Sequence, residues 1–199
     1  ARGRVMKTLD YNLPLPGTDL HVYLDSGLQQ VAFDALGSNR GAVVAIEPKT
    51  GGILAIVSKP GYDPNLFVTG IDHATYAKLR ESESSPLFNR AVQGQYEPGS
   101  TIKPMLGLSA LSSGIIDETY LVEDPGWYQL PGEERLYRDW NWKVTGEGGH
   151  GQVTLDKAIY RSCNVFFYDV SAKLGIDNIS KDLSLFGFGA KTSLDLPEA

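Results

Sequence analysis

The chain has 199 residues, 42% of them hydrophobic, enough for a domain with a real core. A formal net charge of −6 with no basic tract argues against nucleic acid as a partner. No run reaches the roughly 18 apolar residues a membrane span needs, no signal-peptide pattern opens the chain, and its single cysteine cannot close an internal disulfide.

Residues 1–18 are basic, then Pro- and Gly-rich, and read as a linker or the tail of an upstream non-catalytic module. Leu20, Val22 and Leu24 alternate with His21 and Tyr23, which predicts a half-buried strand. Asp25 or Ser26 would cap a helix with Leu28, Val31, Ala32, Ala35 and Leu36 on its apolar face, stopping at Gly37. The runs 42–46 and 53–57 predict a hairpin turning at Gly51-Gly52, followed by a loop through Asn65. Residues 72–81 and 83–93 read as short helical or irregular segments. His21 and His73 read as surface residues without partners.

The stretch from Tyr96 to Pro104 carries the first chemistry. Pro98 and Gly99 punctuate the chain, and Ile102, Met105, Leu106 and Ala110 then recur at helical spacing as far as Ser112-Ser113-Gly114. Ser100 and Lys103 stand three residues apart, so a helix starting near Ser100 would bring both to one face. A serine is a poor nucleophile without a base, and a lysine desolvated enough to be partly neutral supplies one. The pattern points to acyl transfer. A Ser-x-x-Lys match also arises about once by chance in a chain this long, so a second element is needed.

Residues 115–151 read as an irregular, aromatic-rich loop with a satellite core of Trp127, Trp140 and Trp142, in preference to a wall of a substrate groove. Thr154 would cap a helical region with Asp156 in its first turn. Ser162-Cys163-Asn164 interrupts that apolar region, which continues through Val165, Phe166, Phe167, Val170 and Leu174 to Gly175. Ser162 and Asn164 could face the Ser100–Lys103 pair, relaying a proton and holding a carbonyl, while Cys163 points elsewhere. Asp124, Asp139, His150 and Cys163 are all residue types that ligate zinc, and a site closed by four protein side chains is structural. Two aspartates are unusual in such a set, the spacing matches no standard signature, and a free cysteine is commonly just a small buried hydrophobe.

S-x-x-K, S-D-N and K-T-G form the motif set of class A β-lactamases and penicillin-binding proteins. The chain resembles the transpeptidase domain of class B penicillin-binding proteins of the rod-elongation type (penicillin-binding protein 2). Arg40 through Ile46 with the Pro48-Lys49-Thr50-Gly51 turn, Tyr62-Asp63-Pro64-Asn65, Asn89-Arg90-Ala91 and Tyr96 through Pro104 carry the resemblance. Asp124-Pro125-Gly126-Trp127, Arg138-Asp139-Trp140, Gly149-His150-Gly151 and Ser162-Cys163-Asn164 extend it collinearly. The resemblance implies an α+β fold of the penicillin-binding and serine β-lactamase type, helices packed on an antiparallel sheet, with residues 19–199 as the N-terminal part of the transpeptidase domain. It implies Ser100 as acylated nucleophile, Lys103 as base, and Ser162 and Asn164 as the second motif. It also implies a metal at positions like those of the four zinc-ligating residues, though no cofactor for the chemistry. The implied partners are peptidoglycan stem peptides, β-lactams and a membrane-embedded glycan polymerase; the implied place is the periplasmic face of the inner membrane, with the anchor outside these residues.

One departure stands out. The Lys-Ser/Thr-Gly motif that should follow Asn164 is missing, since the literal Lys49-Thr50-Gly51 lies in the expected hairpin turn and precedes Ser100. The chain is therefore expected to be incomplete on its C-terminal side and to be inert alone, without a carboxylate-binding strand and half of the oxyanion hole. The competing classes are a serine β-lactamase, for which no glutamate that would activate water is visible after Asn164, and a penicillin-sensing, non-catalytic homologue.

Overall fold

Val43 and Ala45 lie directly opposite Val57 and Ala55 in an antiparallel hairpin, so one face of the ribbon is a small apolar stripe. The computed structural model that contains it describes residues 15–142 and 148–192, and its chain divides into two compact units, Ala1–Gly94 and Gln95–Ala199. In the first unit, strands β1 (Gly41–Ile46) and β2 (Ile53–Lys59) pack that stripe on helix α1 (Ser26–Ala35) through Ala32 and Leu36. Asp25 caps α1, its carboxylate accepting the Leu28 amide at 2.8 Å. Gln29 docks the helix to the outer edge of β2, donating to the Ile56 carbonyl and accepting its amide, each at 2.8 Å. The Lys49-Thr50-Gly51 tripeptide lies in the hairpin turn, as expected.

Two expectations for this unit need correction. Residues 20–24 form no strand, and Leu20 and Val22 are exposed, because no strand among the described residues pairs with them; alternation alone supplies no partner. Leu28, Val31 and Ala35 are exposed as well, so the packed face of α1 runs through half-buried Gln29, buried Ala32 and, at the cap, half-buried Leu36. The expected irregular stretches hold a short 3-10 turn (Pro64–Phe67) and helix α2 (His73–Arg80), with His21 and His73 exposed as expected. The linker expected at 1–18 lies outside the described residues as far as residue 14; residues 15–18 are exposed coil.

The second unit is built around helix α5 (Asn164–Leu174), which buries Val165, Phe166, Phe167, Val170 and Leu174. An apolar side chain of this size contributes about 1.5–3 kcal/mol on burial, which makes α5 the organising element of the core. Leu106 and Ala110 of helix α3 (Lys103–Ser112) and Ala158 of helix α4 (Leu155–Tyr160) pack into the same cluster. Helix α6 (Ile176–Ser184) closes it, and the Ser109 hydroxyl of α3 donates to Asp182 of α6. Residues 115–151, expected to be irregular, contain paired strands. β3 (Val122–Asp124) pairs with β6 (Gly151–Val153), and β4 (Trp127–Gln129) with β5 (Leu136–Arg138), all antiparallel. These three-residue strands are too short for periodicity to reveal. Trp142 packs against the backbone of Gly126 and Gly148, while Trp140 is 57% exposed and no part of a core.

Candidate active site

Ser100 lies in a 3-10 turn (Gly99–Ile102) and Lys103 is the first residue of α3, so the pair straddles a helix junction instead of sharing one α-helical face. Lys103 is buried, and its ammonium donates to three oxygens: the Ser162 carbonyl at 2.7 Å, the Asn164 Oδ1 at 2.7 Å and the Ser162 Oγ at 3.2 Å. Three acceptors saturate the three N–H bonds of an ammonium. The Ser162 hydroxyl in turn donates to Ser100 Oγ at 2.8 Å. Ser100, Lys103, Ser162 and Asn164 therefore come together, but Lys103 reaches Ser100 through Ser162 and not directly.

The local folding of Ser162 explains why it can bridge. Helix α4 ends at Tyr160, the Ser162 amide bonds back to the Ile159 carbonyl, and the Cys163 amide bonds to the Ala158 carbonyl. This is a Schellman closure, in which the residue after the helix cap takes the left-handed conformation and glycine is the usual occupant. Here Ser162 occupies it at φ 53°. A side chain in that conformation costs about 1–2 kcal/mol, and residues strained in this way cluster at functional sites. Cys163 then caps α5, its Sγ accepting the Phe166 amide. The expected continuous helical region is thus two helices with a left-handed joint, and the joint projects the hydroxyl toward Ser100. Thr154 precedes α4 as expected but makes no side-chain cap; its hydroxyl bonds to Asp156 instead.

A cavity of about 320 Å³ opens beside these groups, lined by Ser100, Lys103, Leu106, Asn164, Phe167, Tyr168 and Ser171, among others. Phe167 was read only as part of the apolar run, and Tyr168 and Ser171 were not singled out from sequence. They follow Asn164 by three, four and seven residues, and helical spacing from the second motif would have found them. Desolvation by burial lowers the Lys103 pKa below its usual value, against the pull of Asp139 and Cys163 toward the charged form. The site thus holds a lysine eased toward neutrality, linked through one hydroxyl to a second hydroxyl at the cavity wall.

Behind it sits a second constellation. Ligating atoms of Asp124, Asp139, His150 and Cys163 all lie within 4.8 Å of one another. His150 Nδ1 is 2.8 Å from Asp124 Oδ2 and 2.9 Å from Asp139 Oδ2, and one ring proton cannot serve both. Asp124 also accepts the amides of Gly126 and His150 and the Cys163 thiol. Burial would raise its pKa, but these hydrogen bonds and the one shared with Asp139 outweigh it and hold Asp124 low. Burial, then the hydrogen bond shared with Asp124, pushes Asp139 up. Asp139 Oδ2 is buried with no hydrogen-bond donor aligned on it among the described residues. Burial also pushes the Cys163 thiol up to about 12. Crowded carboxylates, one oxygen without a donor, an imidazole and a thiol are a donor set of the kind that could hold a divalent cation. Asp139 Oδ1 meanwhile accepts the amides of Trp140 and Asn164, tying the cluster to the second motif.

Comparison with known proteins matches residues 41–199 to the family model described as the penicillin binding protein transpeptidase domain. The chain is 48% identical, over 99% of its length, to the peptidoglycan D,D-transpeptidase MrdA of Acinetobacter baumannii, and spans 29% of that protein. Among solved structures it resembles Pseudomonas aeruginosa PBP2 in complex with WCK 5153, at a TM-score of 0.85 and 51% identity over 94% of this chain and 41% of that one. It also resembles the penicillin G acyl-enzyme complex of penicillin-binding protein A from Mycobacterium tuberculosis, at a TM-score of 0.74 and 31% identity over 89% of this chain and 42% of that one. The chain spans less than a third of the length of the curated relatives it matches.

Proposed function

The chain belongs to the penicillin-binding protein transpeptidase family, and from that premise we propose that it supplies the acylation half of a peptidoglycan D,D-transpeptidase site. The hydrogen-bonded series Lys103–Ser162–Ser100 at a cavity wall carries this reading. With Lys103 neutral, its lone pair faces Ser162 Oγ. The series then reverses its polarity: Ser162 passes its proton to Lys103 and takes one from Ser100 as the Ser100 oxygen attacks the penultimate D-alanine carbonyl of a stem peptide. The return of that proton through Ser162 to the departing amine releases the terminal D-alanine. An amino group of a neighbouring stem then attacks the Ser100 ester; the ester C–O bond breaks, a proton of the amine passes through the same series to Ser100 Oγ, and the new amide is the cross-link. Asn164, held against Lys103 on the cavity wall, is placed to orient the substrate amide. β-Lactams enter as acyl donors whose leaving group stays tethered.

Asp124, Asp139, His150 and Cys163 would hold a structural zinc, which supplies charge neutralisation and cross-linking and takes no part in the chemistry. Among the described residues no helix is long and apolar enough to cross a membrane. The reading places these residues on the periplasmic side of an inner-membrane protein that works beside a glycan polymerase.

The test is labelling of the full-length protein with fluorescent penicillin. A long-lived adduct on the parent and none on Ser100→Ala is expected. An adduct on Ser100→Ala overturns the nucleophile assignment, and rapid turnover of the parent adduct would favour a β-lactamase.

A further inference from the structure

Ser162 holds its hydroxyl in line only if the peptide groups on both sides of its Cα are held, because the left-handed conformation is not one a serine adopts unaided. On the far side, the Ser162 carbonyl is gripped by Lys103 Nζ at 2.7 Å. On the near side lies the Arg161 carbonyl, one of the last carbonyls of α4, which have no partner within their own helix. It accepts the indole Nε1–H of Trp140 at 3.1 Å. Trp140 is 57% exposed, so burial does not explain its placement. Its ring lies 5.8 Å from that of His150, and its own amide is bound by Asp139 Oδ1 at 2.7 Å. The indole is therefore oriented at its backbone and at its ring while its one polar atom is spent on the peptide that precedes Ser162.

We propose that Trp140 is a positioning residue for the acylation step: its N–H fixes the Arg161–Ser162 peptide plane and so aims the Ser162 hydroxyl at Ser100. This rests on the acyl-transfer reading above, in which Ser162 carries the proton between Ser100 and Lys103. Trp140 touches neither oxygen of that relay. Its loss should slow bond formation and leave recognition of the acyl donor intact, unlike the loss of a residue that forms a wall of the cleft.

The experiment resolves acylation of the full-length protein by a fluorescent penicillin into the non-covalent dissociation constant and the first-order acylation rate constant. Two variants are compared with the parent. Trp140→Phe removes the donor and keeps a ring, and replacement of Trp140 by 3-benzothienylalanine keeps the bicyclic shape with sulfur in place of the N–H. The acylation rate constant should fall about five- to tenfold in both, the scale of one net hydrogen bond, with the dissociation constant within about twofold of the parent. A parent-like rate constant in the sulfur analogue, or a change confined to the dissociation constant, overturns the proposal. If Trp140→Phe fails to fold, the sulfur analogue alone decides. The Ser100→Ala control separates the two levels. If it stays unlabelled while the analogue acylates like the parent, only the role of Trp140 is lost. If it takes label, the acyl-transfer reading falls and this one with it.

Discussion

The hydroxyl of Ser162 stands 2.8 Å from that of Ser100 and donates to it, while Lys103 donates to Ser162. Every hydrogen of this series points away from the lysine and toward Ser100, the proposed nucleophile. The arrangement is that of a charged Lys103, and its reversal requires a neutral one.

That polarity sets a pH dependence. Burial lowers the Lys103 pKa, so its amine becomes neutral at a lower pH than an exposed lysine does. Acylation by penicillin should rise with pH through that lowered pKa and level off above it. Lys103→Arg, which keeps the charge and cannot lose it, should lose about 10²–10⁴-fold in acylation rate and the rise together. A parent profile already flat and high at pH 5 would contradict the role of Lys103 as base.

The left-handed joint predicts a stability–activity conflict at Ser162. Ser162→Gly and Ser162→Ala both remove the hydroxyl, and both should abolish measurable acylation. Only alanine keeps a Cβ at φ 53°. The glycine variant should therefore be the more stable of the two by about 1 kcal/mol in denaturant titration. Equal stability would mean that the joint relaxes.

Gly149 predicts where the cluster behind the site cannot yield. A Cβ there would lie 1.9 Å from the Asp124 carbonyl oxygen, at φ 69°. At Gly132, with φ 85°, a Cβ would meet nothing within 4 Å. Gly149→Ala should cost about 3 kcal/mol or more, and Gly132→Ala only the conformational part, about 1 kcal/mol. Thermal melts of the two variants make the comparison.

The proposed zinc site predicts a bound metal in the purified protein. Elemental analysis of the purified protein should find about one zinc per chain. Stripping it, or Cys163→Ser, should destabilise by about 2 kcal/mol, roughly 4–8 °C in Tm. The Cys163 thiol, pushed up to about 12 by burial, must lose its proton to ligate, so affinity should fall as pH falls. Absence of zinc together with a Cys163→Ser variant as stable as the parent would refute the site.

Much of the candidate site was legible in one dimension because its cues are local. Pro98-Gly99 ahead of Ser100 and the apolar spacing behind Lys103 predict a helix starting near Ser100, though not the 3-10 turn that carries Ser100, and the face of α5 that presents Asn164, Phe167, Tyr168 and Ser171 follows from 3.6 residues per turn. The grouping of Asp124, Asp139, His150 and Cys163 was readable from ligand chemistry and family resemblance, although four separate segments supply it.

Other features were settled only by long-range packing. Leu20, Val22 and Leu24 have the alternation of a strand, yet a strand exists only where another edge pairs with it. No local rule places a serine where a helix closure favours glycine; the Lys103 and Trp140 hydrogen bonds, from residues 59 and 21 positions away in the chain from the peptides they hold, keep Ser162 there. The residue types and their spacing along the chain thus determined which chemistry is available. Tertiary contacts decided that the lysine reaches Ser100 through Ser162, because only they hold a backbone conformation that the residue itself disfavours.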